Sequence, residues 1–157
     1  MNGITELYSR LLKYPSDETI LMQIAAETGA DVSEYTLSRL QEEYVECFDF
    51  NPKAALTLTT HAAGNDSEKS DLMETMNALL CCYGIARTDN ASPDYIPDVL
   101  SAYCLAAASE EEPEALIFLT DILLKGCGSI RTALKKGIYA DLMKKLCSIL
   151  ESEVRYA

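Results

Sequence analysis

The chain has 157 residues, 48% of them hydrophobic, which supplies enough apolar surface for one packed core and argues against disorder. Its 25 acidic and 13 basic residues give a formal net charge of −12. Such a surface repels phosphate backbones and disfavours nucleic acid, so a charged partner is expected to be basic, although excess acid also simply keeps a protein in solution.

Apolar residues recur at three and four nearly throughout, which predicts helices. Ile4, Leu7, Tyr8, Leu11 and Leu12 form a first amphipathic helix that ends before Tyr14-Pro15. Ser16 can cap a second, with Ile20, Leu21, Ile24 and Ala25 inward and Gly29 as its stop. Ser33 can cap a third carrying Leu37, Leu40, Tyr44, Val45 and Phe48, with Glu42, Glu43 and Glu46 mostly on its wet side. Asn51-Pro52 reads as a helix start. The residues behind it, 56–60, have strand-like composition, but the start signal and the lack of any other strand favour helix. After Gly64, Asp66 or Ser67 can cap a long helix bearing Leu72, Met73, Met76, Leu79, Leu80 and Tyr83. Residues 87–93 form the best candidate for a long loop. A further helix passes through Val99, Leu100, Tyr103, Cys104 and Ala107, and tolerates Pro97 only in its first turn. Glu112-Pro113 starts another, which Gly126 and Gly128 are expected to break. The remainder, from Ile130 to Leu150, is divided near Gly137. The expected fold is all-α, a single helical domain over residues 1–157 with roughly eight or nine helices.

No run of 18 apolar residues is long enough to span a membrane. The opening residues include Glu6 and Arg10 and lack the apolar core of a secretion signal, so a cytoplasmic location is expected. The six cysteines contain no C-x-x-C pair and read as small buried hydrophobes, with neither a disulfide framework nor a metal site. His61 is the only histidine, and no nucleophile elbow, phosphate loop, dinucleotide fingerprint or zinc motif is present. No catalytic residue, metal or cofactor is expected, and the chain does not read as an enzyme.

Two stretches are unusually specific for ordinary helix. One is residues 48–66, Phe-Asp-Phe-Asn-Pro-Lys-Ala-Ala-Leu-Thr-Leu-Thr-Thr-His-Ala-Ala-Gly-Asn-Asp. The other is residues 92–100, Ser-Pro-Asp-Tyr-Ile-Pro-Asp-Val-Leu. Together they resemble the NarJ branch of the redox-enzyme maturation chaperones, the family that also contains TorD and DmsD. Phe48, Asn51, Pro52, Leu58, His61 and Gly64 carry the first part of the resemblance, and Pro93, Asp94, Tyr95, Ile96 and Pro97 the second. Leu11-Leu12-Lys13-Tyr14-Pro15 resembles the family's opening. The sequence departs from the pattern at Thr60, where the family often has Tyr, at Asn65, which separates Gly64 from Asp66, and at Ser101, where an acidic residue is common.

The resemblance implies a dedicated chaperone, monomeric or weakly dimeric. Its partner would be the N-terminal leader or segment of a molybdoenzyme catalytic subunit, nitrate reductase in the NarJ branch, held back until the molybdenum cofactor is inserted. Such leaders are amphipathic and basic, and an acidic bundle with an apolar groove suits helix-in-groove capture. The groove is expected between the helix ending near His61 and Gly64 and residues 93–103. The peptide-binding residues would be His61, Asp66, Asp94, Tyr95, Pro97, Asp98 and Tyr103. Asp94 and Asp98 lie four apart and would share a helix face if the helix has begun by Asp94. On that expectation Asp94→Asn weakens peptide binding and leaves stability almost unchanged. The plainer roles are also open: Asp94 as a helix cap, Tyr95 as packing, Pro97 as a turn, and His61 as a hydrogen-bonded, half-buried side chain. A general helical adaptor without a redox-enzyme client, or a thiol- or metal-based sensor, would share much of this composition.

Overall fold

A computed structural model describes residues 2–109 and 111–155. The apolar spacing is realised as eight α-helices among the described residues: α1 (Asn2–Leu11), α2 (Glu18–Thr28), α3 (Leu37–Tyr44), α4 (Leu58–Ala62), α5 (Asp66–Cys82), α6 (Ile96–Ala108), α7 (Pro113–Ala133) and α8 (Ile138–Arg155). A π-helical turn, Val45–Asp49, prolongs α3, and a 3-10 turn, Pro52–Ala54, leads toward α4. The fold is all-α, as the spacing predicts.

Several helices begin beside the expected cap. Asp17 rather than Ser16 caps α2, accepting from the amides of Thr19 and Ile20. Thr36 rather than Ser33 caps α3, and Asn65 rather than Asp66 or Ser67 caps α5. In each case a nearby side chain of the same capping type meets the free amides. Glu68 completes the last cap by accepting the Gly64 N–H, a variant of the reciprocal capping box.

Helix α6 is the axis of the packing. Ile96, Val99, Leu100, Ala102, Tyr103 and Ala106 are all buried, as expected of a helix covered on nearly every side. Helix α1 runs along it, α5 and α7 cover other faces, and α8 packs on α7 and α2. Leu11 and Leu12 near α1, and Tyr139, Leu142, Met143 and Leu146 on α8, are fully buried. Each such side chain contributes about 1.5–3 kcal/mol of apolar burial. Between α3 and α8 the rings of Tyr44, Phe48 and Tyr139 pack edge to face or tilted, with centroids 5.1–5.6 Å apart.

Two expectations are corrected. Residues 56–60 do not form one helix. Their strand-like composition is spent on an isolated bridge between Thr57 and Tyr95, after which α4 starts at once. Gly126 and Gly128 do not break the chain either, since α7 runs from Pro113 to Ala133. Gly126 serves a close approach: a Cβ there would stand 2.6 Å from Leu58 Cδ2 of α4. A Cβ on Gly128 meets nothing within 4 Å. Gly126→Val should therefore destabilise by about 1–3 kcal/mol through overpacking. Gly128→Ala should stabilise by about 0.5–1 kcal/mol, because alanine restricts the unfolded chain and favours helix. Urea denaturation of the two variants checks the opposite signs.

Cys104, Cys127 and Cys147 are buried and Cys47 is half-buried, with burial and the nearby charges of Glu43 and Glu46 pushing its thiol up to about 11. Cys81 and Cys82 depart from the buried-hydrophobe reading and are exposed. Their helix, α5, buries only Met76 and Leu80 fully.

Candidate peptide-binding site

Helix α4 has five residues, too few to persist alone, so its position depends on what it is tied to. Its N-terminal Thr57 makes no side-chain cap. The cap comes instead from 35 residues away. Asp94 is fully buried, and its carboxylate accepts from the Thr59 amide at 2.8 Å and the Thr59 hydroxyl at 2.7 Å. Its second oxygen accepts from the Ser92 hydroxyl. Beside it two antiparallel backbone bonds, Leu58 N–H to Asp94 O at 3.0 Å and Ile96 N–H to Leu56 O at 2.9 Å, join the entry of α4 to that of α6.

His61 fixes the other side of α4. Its Nε2 lies 2.7 Å from the Ala55 carbonyl, which can only accept, so Nε2 carries the proton. Nδ1 faces the Ser129 hydroxyl of α7 at 2.8 Å. Leu58 completes the attachment by lying over Gly126.

The pair Asp94 and Asp98 does not share a helix face. Helix α6 begins at Ile96, so Asp94 precedes it, and the two carboxylates go to different partners. Asp98 is buried and accepts from the amide and hydroxyl of Thr88, at 2.9 and 2.8 Å, which ties the long loop to the first turn of α6. A carboxylate there also suits the helix dipole. Pro97 occupies that first turn, as expected. The Tyr44 hydroxyl gives its proton to the Leu12 carbonyl at 2.8 Å, so the Tyr95 hydroxyl is the donor in its 3.4 Å contact with Tyr44.

Of the seven predicted residues, the structure therefore gathers Asp94, Tyr95, Pro97 and Asp98 at the entry of α6, with His61 across α4. Asp94, Pro97, Asp98 and Tyr103 are buried, His61 and Tyr95 are half-buried, and Asp66 is exposed at the first position of α5. Tyr103 lies about two turns along α6, its phenol pushed up to about 12 by burial and the nearby Glu153.

Two open grooves adjoin α4. One, of about 650 Å³, is lined by Ala62, Leu72, Phe118 and Ile122, with Glu68, Asp121 and Lys125 at its edge. The other, of about 630 Å³, runs past Thr60, His61 and Ser129, with Lys53 and Lys135 among its lining residues. Sequence reasoning missed the α7 residues of the first groove. A signal existed in Leu116-Ile117-Phe118-Leu119, four apolar residues in a row where one helix face can bury only some, and Ile117 is 65% exposed. Among the described residues no three His, Cys, Asp or Glu side chains come together as metal ligands, and no helix is long and apolar enough to cross a membrane.

The chain is similar, at 31% identity over 129 residues, to a protein of Bacillus subtilis (strain 168) described as a probable nitrate reductase molybdenum cofactor assembly chaperone, NarJ. The matched region covers 80% of this chain and 65% of that protein's length. This similarity supports a NarJ-like family, the same branch that the sequence motifs resemble. No protein-family model matches the chain.

Proposed function

We propose that this chain is an assembly chaperone for a molybdenum-containing nitrate reductase and has no catalytic activity of its own. It binds the N-terminal segment of the catalytic subunit and holds it until the cofactor is inserted. The observation that carries this reading is the similarity to the Bacillus subtilis chaperone across four fifths of the chain. The geometry supports a peptide client. The groove between α4, α5 and α7 has an apolar floor of Ala62, Leu72, Phe118 and Ile122, suited to one face of an amphipathic helix. Glu68 and Asp121 outnumber Lys125 at its edge and, together with the net charge of −12, favour a basic segment and speed its encounter.

His61, Asp94, Tyr95, Pro97 and Asp98 enter this reading as the joint that sets α4, and hence the groove wall. Asp66 and Tyr103 stand further out, on α5 and α6. The function is tested in cells that lack this chain. There the catalytic subunit should accumulate with its molybdenum content reduced at least tenfold, and re-expression should restore it. Full molybdenum loading without the chain would remove the proposed role.

A further inference from the structure

Phe50 is 80% exposed, which is unusual for a phenylalanine fixed by the backbone. Its N–H bonds the Val45 carbonyl at 3.0 Å, five residues back, closing the π-helical turn. Tyr44 and Phe48, four residues apart, both point into the core, and Phe50 is left outside. Opposite it stands Tyr14, 51% exposed, whose ring packs edge-on against Tyr44 at 5.7 Å. The segment that carries Tyr14 is pinned to α3, since Gln41 Nε2 donates to the Pro15 carbonyl at 2.9 Å.

Between these aromatic walls lies a groove of about 490 Å³, floored by Val45 and edged by Glu42 and Glu46. The two carboxylates are one turn apart and exposed, and neither belongs to an ion pair among the described residues. No basic side chain lines the groove. Arg39, the nearest cation on α3, is engaged by Glu43 at 3.8 Å and by the Tyr35 ring at 4.1 Å.

We propose that the Tyr14–Phe50 face is a docking surface for a basic amphipathic helix of a partner protein, separate from the α4 groove. An aliphatic side chain of that helix enters between Tyr14 and Phe50 over Val45. Lysines or arginines on its flank meet Glu42 and Glu46. The choice of occupant rests on charge: two unpaired carboxylates beside an apolar slot reward a cationic helix and repel an acidic one. It does not depend on the chaperone reading.

The test uses a synthetic amphipathic peptide of about 18 residues built from Leu and Lys, long enough to form a helix on binding, and a counterpart with Glu in place of Lys. Both are titrated calorimetrically into the full chain. The Leu/Lys peptide should bind and the Leu/Glu peptide should not. Phe50→Ser should weaken the Leu/Lys peptide at least tenfold, and so should the double change Glu42→Gln, Glu46→Gln. A matched loss of two exposed carboxylates on α5, Asp71→Asn with Glu74→Gln, should leave it unchanged. Phe50, Glu42 and Glu46 are all exposed, so circular dichroism should report an intact fold. Absence of binding, or parental affinity in both the Phe50 and the Glu42/Glu46 variants, overturns the proposal, because charge attraction spread over the whole surface would then account for the peptide.

Discussion

Asp94→Ala should lower the melting temperature by about 10 °C, the largest stability effect expected from any single polar residue of this chain. The carboxylate is fully buried and serves the Thr59 amide, the Thr59 hydroxyl and the Ser92 hydroxyl at once. Alanine leaves these donors in the interior without their acceptor and strips α4 of its cap. An unmade buried hydrogen bond costs about 1–3 kcal/mol and a lost cap about 1 kcal/mol, not fully additive, so a total of about 3–5 kcal/mol is expected. At about 2–4 °C per kcal/mol for a chain of this size, that gives the stated shift. Asp94→Asn should cost only about 1 kcal/mol. Its remaining oxygen can still accept from Thr59, while its amide donates to a Ser92 hydroxyl turned into an acceptor. The order alanine far below asparagine, read by thermal denaturation, distinguishes a buried joint from a surface carboxylate that contacts a client. A melting point within 2 °C of the parent for Asp94→Ala would contradict the assignment of about 1–3 kcal/mol to each of these bonds.

Phe118→Ala carries the largest expected effect on binding. Phe118 is half-buried in the floor of the α4 groove, between Leu72 and Ile122. An aromatic side chain at the centre of a desolvated contact is the usual anchor for a bound helix, and its truncation costs about 2 kcal/mol, or about 30-fold in affinity. The loss should fall mainly on the dissociation rate, because the acidic edge residues that steer encounter remain. Calorimetry with an N-terminal peptide of the reductase catalytic subunit checks the size of the loss. Parental affinity in Phe118→Ala would move the client off this groove.

Most of the fold was legible because it depends on local spacing. The helices α1, α5 and α6, the start of α7 at Pro113 and the loop ahead of Pro93 follow from apolar period and from proline placement. What escaped depends on contacts distant in sequence. Gly126 reads as a breaker until Leu58, 68 positions earlier, is seen lying over it. Asp94 looks like a cap for the helix directly behind it, yet it caps α4, because the Thr57 hydroxyl pairs with the Thr60 hydroxyl rather than with a free amide of the helix. The π-helical turn behind Tyr44 has no periodic signature in five residues, and with it the outward position of Phe50 was hidden. For the candidate site, the motifs led to the joint between the entries of α4 and α6. They did not reveal that its carboxylates face inward, nor that α7 supplies a groove wall.

The most direct measurement is calorimetric titration of the purified chain with a synthetic peptide of about the first 20 residues of the nitrate reductase catalytic subunit from the same organism. A chaperone for that subunit should bind one peptide per chain with a dissociation constant in the micromolar range or below, near −8 kcal/mol. Association should slow as salt rises, and a scrambled peptide of equal charge should bind at least tenfold more weakly. No heat of binding, or equal affinity for the native and the scrambled peptide, would contradict recognition of that segment.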